Sequence, residues 1–203
     1  CLQTMVDMVT KQGRYAALPE VQKQQMRAVL LQWLQSKGGP QTDEPISVKN
    51  KFAQLLVAVI RVDYPQSWPQ IFGHILASLQ NGPVSIDVFL RVMNALNEDV
   101  VVHEESNGYD SEVATRVKDG MRDGCLRQIA DAWLSILRLH ESAPALCTAC
   151  LATVQLFVSW IPIGLVANPA WLNVLQPFLS MPEQHDGACL VLTEIIIKRM
   201  DAS

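Results

Sequence analysis

Apolar residues recur along this chain at the three-to-four-residue interval of an α-helix, and no two-residue alternation bounded by hairpin turns interrupts them. Segment 84–101 is the clearest case. Ile86, Phe89, Leu90, Met93 and Leu96 share one face, and Asp87, Arg91, Asn94 and Glu98 form the opposite stripe. Asn81-Gly82-Pro83 marks its start, where proline is tolerated because a first-turn N–H has no intrahelical acceptor. The punctuation predicts helices over 1–11, 19–36, 46–63, 67–80, 84–101, 111–140, 143–161, 169–181 and 183–201. Breaks fall at Gly38-Gly39-Pro40, Tyr64-Pro65, Asn81-Gly82 and Pro162-Ile163-Gly164, and Pro177 is expected to kink or split its helix.

Paired as outer then inner helices, the inner ones begin near 46, 84, 143 and 184, spaced by about 38, 59 and 41 residues. Two of these spacings match the roughly 40–47-residue period of HEAT-like units. The third is stretched by a loop and a long outer helix. The pattern predicts an all-α fold, a HEAT-like α-solenoid (α-α superhelix) of antiparallel helix pairs. Residues 1–203 then form a single segment of about four pairs, cut from a longer chain at both ends. A globular bundle has no reason to show a forty-residue period. On the apolar helix at 46–63, Phe52, Leu55, Leu56, Val59 and Ile60 are expected to be buried, with Lys51 and Arg61 reaching solvent.

Composition narrows the function. Apolar residues make up 49 % and charged residues 18 %, a globular balance, and the net charge of −4 offers no global basic field for nucleic acid. Five cysteines are too few, and odd in number, for a disulfide scaffold. The first ten residues lack the basic and apolar regions of a signal peptide. Ser142–Pro182 carries no Asp, Glu, Lys or Arg, but Ser159, Pro162 and Gly164 interrupt its most apolar run, so buried helices fit it better than membrane insertion.

No constellation for chemistry emerges. Cys147 and Cys150 form the one two-residue cysteine spacing, without a second pair or suitably spaced histidines for zinc, and read as thiols packed between helices. His74, His103, His140 and His185 are scattered. No G-x-S-x-G, G-x-G-x-x-G or phosphate-loop motif occurs. The expectation is no enzyme, no catalytic residue, no metal and no cofactor.

Partner binding remains. Glu98, Asp99, Glu104, Glu105, Asp110 and Glu112 make an acidic loop that is either a dock for a basic protein or a solvated, self-repelling segment. Arg116, Lys118, Arg122 and Arg127 follow, with carboxylates spaced to support a long exposed helix. The inner helices line the concave face of a solenoid, where extended partners bind. Their polar stripes are Ser47, Lys51, Gln54 and Arg61; Asp87, Arg91, Asn94 and Glu98; and Asp186, Glu194 and Lys198. The candidate partner-facing residues are therefore Lys51, Gln54, Arg61, Asp87, Arg91, Asn94, Glu98, Arg116, Lys118 and Arg122. Lys51, Arg61, Arg91 and Asn94 are expected to project to one common side.

Several runs carry a family resemblance. VKNKFAQLLVAVIRVDYPQSWPQIF (48–72) resembles the start of the exportin-type repeat region in the importin-β (karyopherin) superfamily. DVFLRVMNALNEDVVVH (87–103), RVKDGMRDGCLRQIADAWLSIL (116–137) and VSWIPIGLVANPAWLNVLQPFLS (158–180) are similar to its tRNA-exporting branch. The matching residues read as structural: Trp68 and Pro69 are expected to open the short helix, and Trp160 and Trp171 to pack across the 162–168 connection. The resemblance implies a place in the N-terminal part of a longer solenoid. It further implies a receptor that binds Ran-GTP and mature tRNA, passes nuclear pore proteins, and shuttles between nucleus and cytoplasm. A scaffold whose concave face binds only protein, or an exportin with another cargo, is the alternative.

Overall fold

A computed structural model describes residues 9, 14–36, 44–101 and 109–201. Among them are nine α-helices and no strand, the all-α, HEAT-like solenoid of antiparallel pairs that the periodicity predicts. The helix expected over 1–11, Val9 excepted, lies outside the described residues, as do Gly38-Gly39-Pro40, His103, Glu104 and Glu105.

The chain divides into two compact units, Cys1–Asp123 and Gly124–Ser203. The first holds α1 (Glu20–Gln35), α2 (Ile46–Asp63), α3 (Ile71–Ser78), α4 (Pro83–Leu96) and nearly all of α5 (Tyr109–Gly124). Prolines start several of them. Pro19 and Pro45 stand just outside α1 and α2 in extended conformation, and Pro83 is the first residue of α4. Gly82 before it takes a φ of 112°, a region open to glycine and strained for a side chain. A π-helical turn, Asn97–Val101, prolongs α4.

Within this unit α2 packs along α4, α1 against α3, and α3 against α4, so like helices of successive pairs lie side by side. Phe52, Leu55, Leu56, Val59 and Ile60 are all buried, as are Val88, Phe89, Val92 and Met93 of α4, and Lys51 and Arg61 are half-buried. Trp33 stacks on Phe52 with centroids 3.8 Å apart. Trp68 is buried under the Arg27 guanidinium, 6.0 Å from its ring centroid, and the short helix opens at Ile71 rather than at Trp68.

The helix expected over 111–140 is two helices. It breaks at Cys125, whose backbone (φ −142°, ψ −10°) leaves the helical region, and α6 resumes at Leu126. Gly120 and Gly124 lower the helix propensity of this stretch, so local packing decides where the turn falls. Gly120 is itself a point of close approach: a Cβ there would meet Tyr64 Cε1 at 2.9 Å and Pro65 Cγ at 3.0 Å. The Tyr64 hydroxyl donates to the Gly120 carbonyl at 2.7 Å, so the ring cannot retreat without losing that bond. Gly120→Ala is therefore expected to cost about 1–3 kcal/mol in urea denaturation. Wild-type stability would show that the ring yields freely.

The second unit holds α6 (Leu126–Leu137), α7 (Pro144–Val158), α8 (Pro169–Phe178) and α9 (His185–Asp201). Here α7 packs on both α6 and α9, which accounts for its lack of charge: Cys147, Cys150, Leu151, Thr153, Val154, Phe157 and Val158 are all buried. The Cys147 and Cys150 thiols lie 3.8 and 3.6 Å from the Leu137 and Trp133 carbonyls. Burial pushes Cys147 up to about 11 and Cys150 well above the usual thiol value, as expected of packing thiols. Asn168 caps α8 by accepting from the Ala170 and Trp171 N–H groups. The helix expected over 169–181 ends at Phe178, one residue after Pro177, so the proline falls in the last turn of α8 and does not split it midway. At the other end of this unit Lys198 of α9 donates to the Val158 (2.7 Å), Ser159 (2.9 Å) and Ile161 carbonyls, closing the C-terminal end of α7. Among the described residues no helix is long and apolar enough to cross a membrane.

Candidate partner-binding groove

The polar stripes of α2 and α4 meet along one groove of about 300 Å³ in the first unit. Its lining includes Asn50 and Gln54 from α2, and Arg91, Asn94 and Glu98 from α4 and the turn after it. The spacing explains the convergence. Asn50 and Gln54 are one turn apart, and Arg91, Asn94 and Glu98 recur at three and four residues, so each set shares a face. Ala53 and Ala95, also in the lining, leave the space between the helices unfilled.

Ion pairs hold the groove from behind. The Asp87 carboxylate receives Lys49 Nζ at 2.6 Å and Arg91 Nε at 3.0 Å, and Arg91 Nη1 donates to Asn50 Oδ1 at 2.6 Å. Lys51 Nζ donates to Gln54 Oε1 at 2.9 Å. Burial by itself would raise the Asp87 pKa, but Arg91 and Lys49 outweigh it and hold the carboxyl below the usual carboxylate value. Asp87 thus stays charged at neutral pH and fixes the plane of the Arg91 guanidinium. A held guanidinium presents its donors in a defined fork, suited to a carboxylate or phosphate, and the amides of Asn50, Gln54 and Asn94 carry both donors and acceptors.

Of the ten residues expected to face a partner, Gln54, Arg91, Asn94 and Glu98 line this groove, and Lys51 and Asp87 are bonded to its lining. Arg61 lies two turns beyond Gln54, outside the lining, and its carbonyl accepts the Arg116 guanidinium. Lys118 is buried, and Arg122 is exposed and paired with Asp119 at 2.8 Å. The three α5 cations therefore do not join the groove. Lys49 and Asn50 are the members that pattern reading missed. Asn50 sits one turn before Gln54 and was legible as part of its stripe. Lys49 is 8 % exposed, and nothing in α2 by itself says that its ammonium meets Asp87.

Among the described residues no group of three or more His, Cys, Asp or Glu side chains is placed to hold a metal ion. Residues 45–192 match the family described as Exportin 1-like protein. The chain is 32 % identical to Exportin-T of Danio rerio, 35 % to that of Arabidopsis thaliana and 31 % to that of Homo sapiens, each over 99 % of this chain. It spans 21 % of the length of these curated relatives.

Proposed function

Because the chain belongs to the exportin 1-like family, we propose that it is a segment of a nuclear export receptor that binds Ran-GTP and carries tRNA from nucleus to cytoplasm past nuclear pore proteins. The observation that carries this reading is the similarity to proteins named Exportin-T across 99 % of the chain. A receptor of this kind works by coupling its two ligands: each favours the same curvature of a solenoid, so each strengthens the other's binding.

The groove between α2 and α4 is assigned to the protein partner rather than to tRNA. Its cations are nearly balanced by Asp87 and Glu98, whereas a phosphate-backbone contact draws on clustered Lys and Arg. Amides beside one oriented guanidinium suit a polar protein surface with an acidic side chain. In the full-length receptor, Arg91→Glu is expected to weaken retention of Ran-GTP by at least about tenfold, as loss of an interfacial charge pair does. Unchanged retention would mean that this face is merely solvated. Binding of tRNA that strengthens with Ran-GTP and weakens steeply with salt supports the receptor reading, and its absence favours a scaffold that binds protein only.

A further inference from the structure

Three of the described cysteines, Cys125, Cys147 and Cys150, are buried, whereas Cys189 is partly exposed. Cys189 lies one helical turn after His185 on α9, and its Sγ is 3.8 Å from His185 Nε2. On the far side of the same ring, Nδ1 is 3.0 Å from an Asp186 carboxylate oxygen. The second contact selects the tautomer. With Nδ1–H donating to Asp186, Nε2 carries the lone pair, and that lone pair faces the thiol. The imidazole side chain is 51 % exposed, so a reagent can reach the pair.

The placement is enforced by packing. A Cβ at Gly187 would meet Leu151 Cβ and Cδ1, both at 3.0 Å, so glycine seats the first turn of α9 directly on α7. Ala188 and Val191 are then fully buried, and His185, Asp186 and Cys189 are left on the solvent side of the same turns. The helices that pack most against α9, α7 and α8, contain no Asp, Glu, Lys or Arg.

We propose that Cys189 is a reactive thiol and a modification site for small disulfides, with His185 as its base and Asp186 as the group that positions His185. Nε2 takes the thiol proton, and the thiolate attacks one sulfur of the disulfide. A new S–S bond forms as the old one breaks. The departing sulfur leaves as a thiolate and takes the proton back from the imidazolium. The net change is thiol plus disulfide to mixed disulfide plus thiol, with no further oxidant. Cys147 and Cys150 have carbonyls, not a base, beside their sulfurs. This inference is independent of the export reading.

The test treats the full natural chain with glutathione disulfide and follows each cysteine-containing peptide by mass spectrometry. Cys189 is expected to gain glutathione at least about tenfold faster in the folded chain than in the chain unfolded in urea. His185→Gln should bring the folded rate down to the unfolded one and leave Cys125, Cys147 and Cys150 unchanged. Asp186→Asn should slow Cys189 in part, and Asp186→Glu should restore it, which a merely structural role for Asp186 would not require. Equal folded and unfolded rates, or a His185→Gln chain that reacts as the wild type does, would overturn the proposal.

Discussion

Asp63→Ala is expected to lower the stability of the first unit by about 3–5 kcal/mol, the cost of stripping a buried charge of its partner. Asp63 is 2 % exposed and accepts from two directions: Arg27 Nε at 2.7 Å and the Tyr15 hydroxyl, both on the same oxygen. The Arg27 side chain is itself only 9 % exposed. Its remaining acceptors are Glu20 at 2.9 Å and the Ser67 carbonyl at 3.2 Å, and Glu20 is half exposed and cannot neutralise the buried end of the guanidinium. Burial holds the Tyr15 phenol well above its ordinary pKa, and the adjacent Asp63 carboxylate raises it further, so Tyr15 stays a neutral donor at every physiological pH. Removing the carboxylate therefore orphans one cation and one hydroxyl together. Urea denaturation checks the size of the loss. Arg27→Met combined with Asp63→Ala should lose less than Asp63→Ala does, because the stranded charge is gone. A loss below about 1 kcal/mol for Asp63→Ala would mean that water already reaches Arg27.

Leu56→Ala is expected to cost about 2–5 kcal/mol, through lost burial and the cavity left between α2 and its neighbours. Leu56 is 1 % exposed at the centre of the helix that α4 packs along. The matched control is Val29→Ala on α1, at a position 56 % exposed, where a change within about 0.5 kcal/mol is expected. Equal effects at the two positions in urea denaturation would contradict the assignment of α2 as the buried inner helix.

These two sites also mark what the sequence makes legible. Leu56 belongs to an uninterrupted 3.6-residue pattern, and a pattern of that kind states both the helix and its buried face. Asp63 reads only as the polar last residue of that helix. Its partners Tyr15 and Arg27 lie 48 and 36 residues away, and no local rule connects them. The groove divides in the same way. Arg91, Asn94 and Glu98 follow from the period of α4, while the Lys49–Asp87 bridge depends on the register of two helices 38 residues apart along the chain. The break at Cys125 was hidden because apolar periodicity runs through 111–140 on both sides of it, and an αR residue lost at one position leaves that pattern nearly intact.

Lys198 has a consequence for how the chain is made. The C-terminal end of α7 directs three carbonyls at a single ammonium, yet neither α7 nor α8 contains a Lys or Arg that could serve them. The cation comes from a residue some 40 positions further along. A chain emerging from the ribosome therefore has the end of α7 solvated and frayed until the roughly 40 residues that follow it, including the Pro162 turn and α8, have been synthesised and α9 has docked. In this unit, then, α7 is completed by the chain that follows it, and the second pair of helices acts as the fastening for the first.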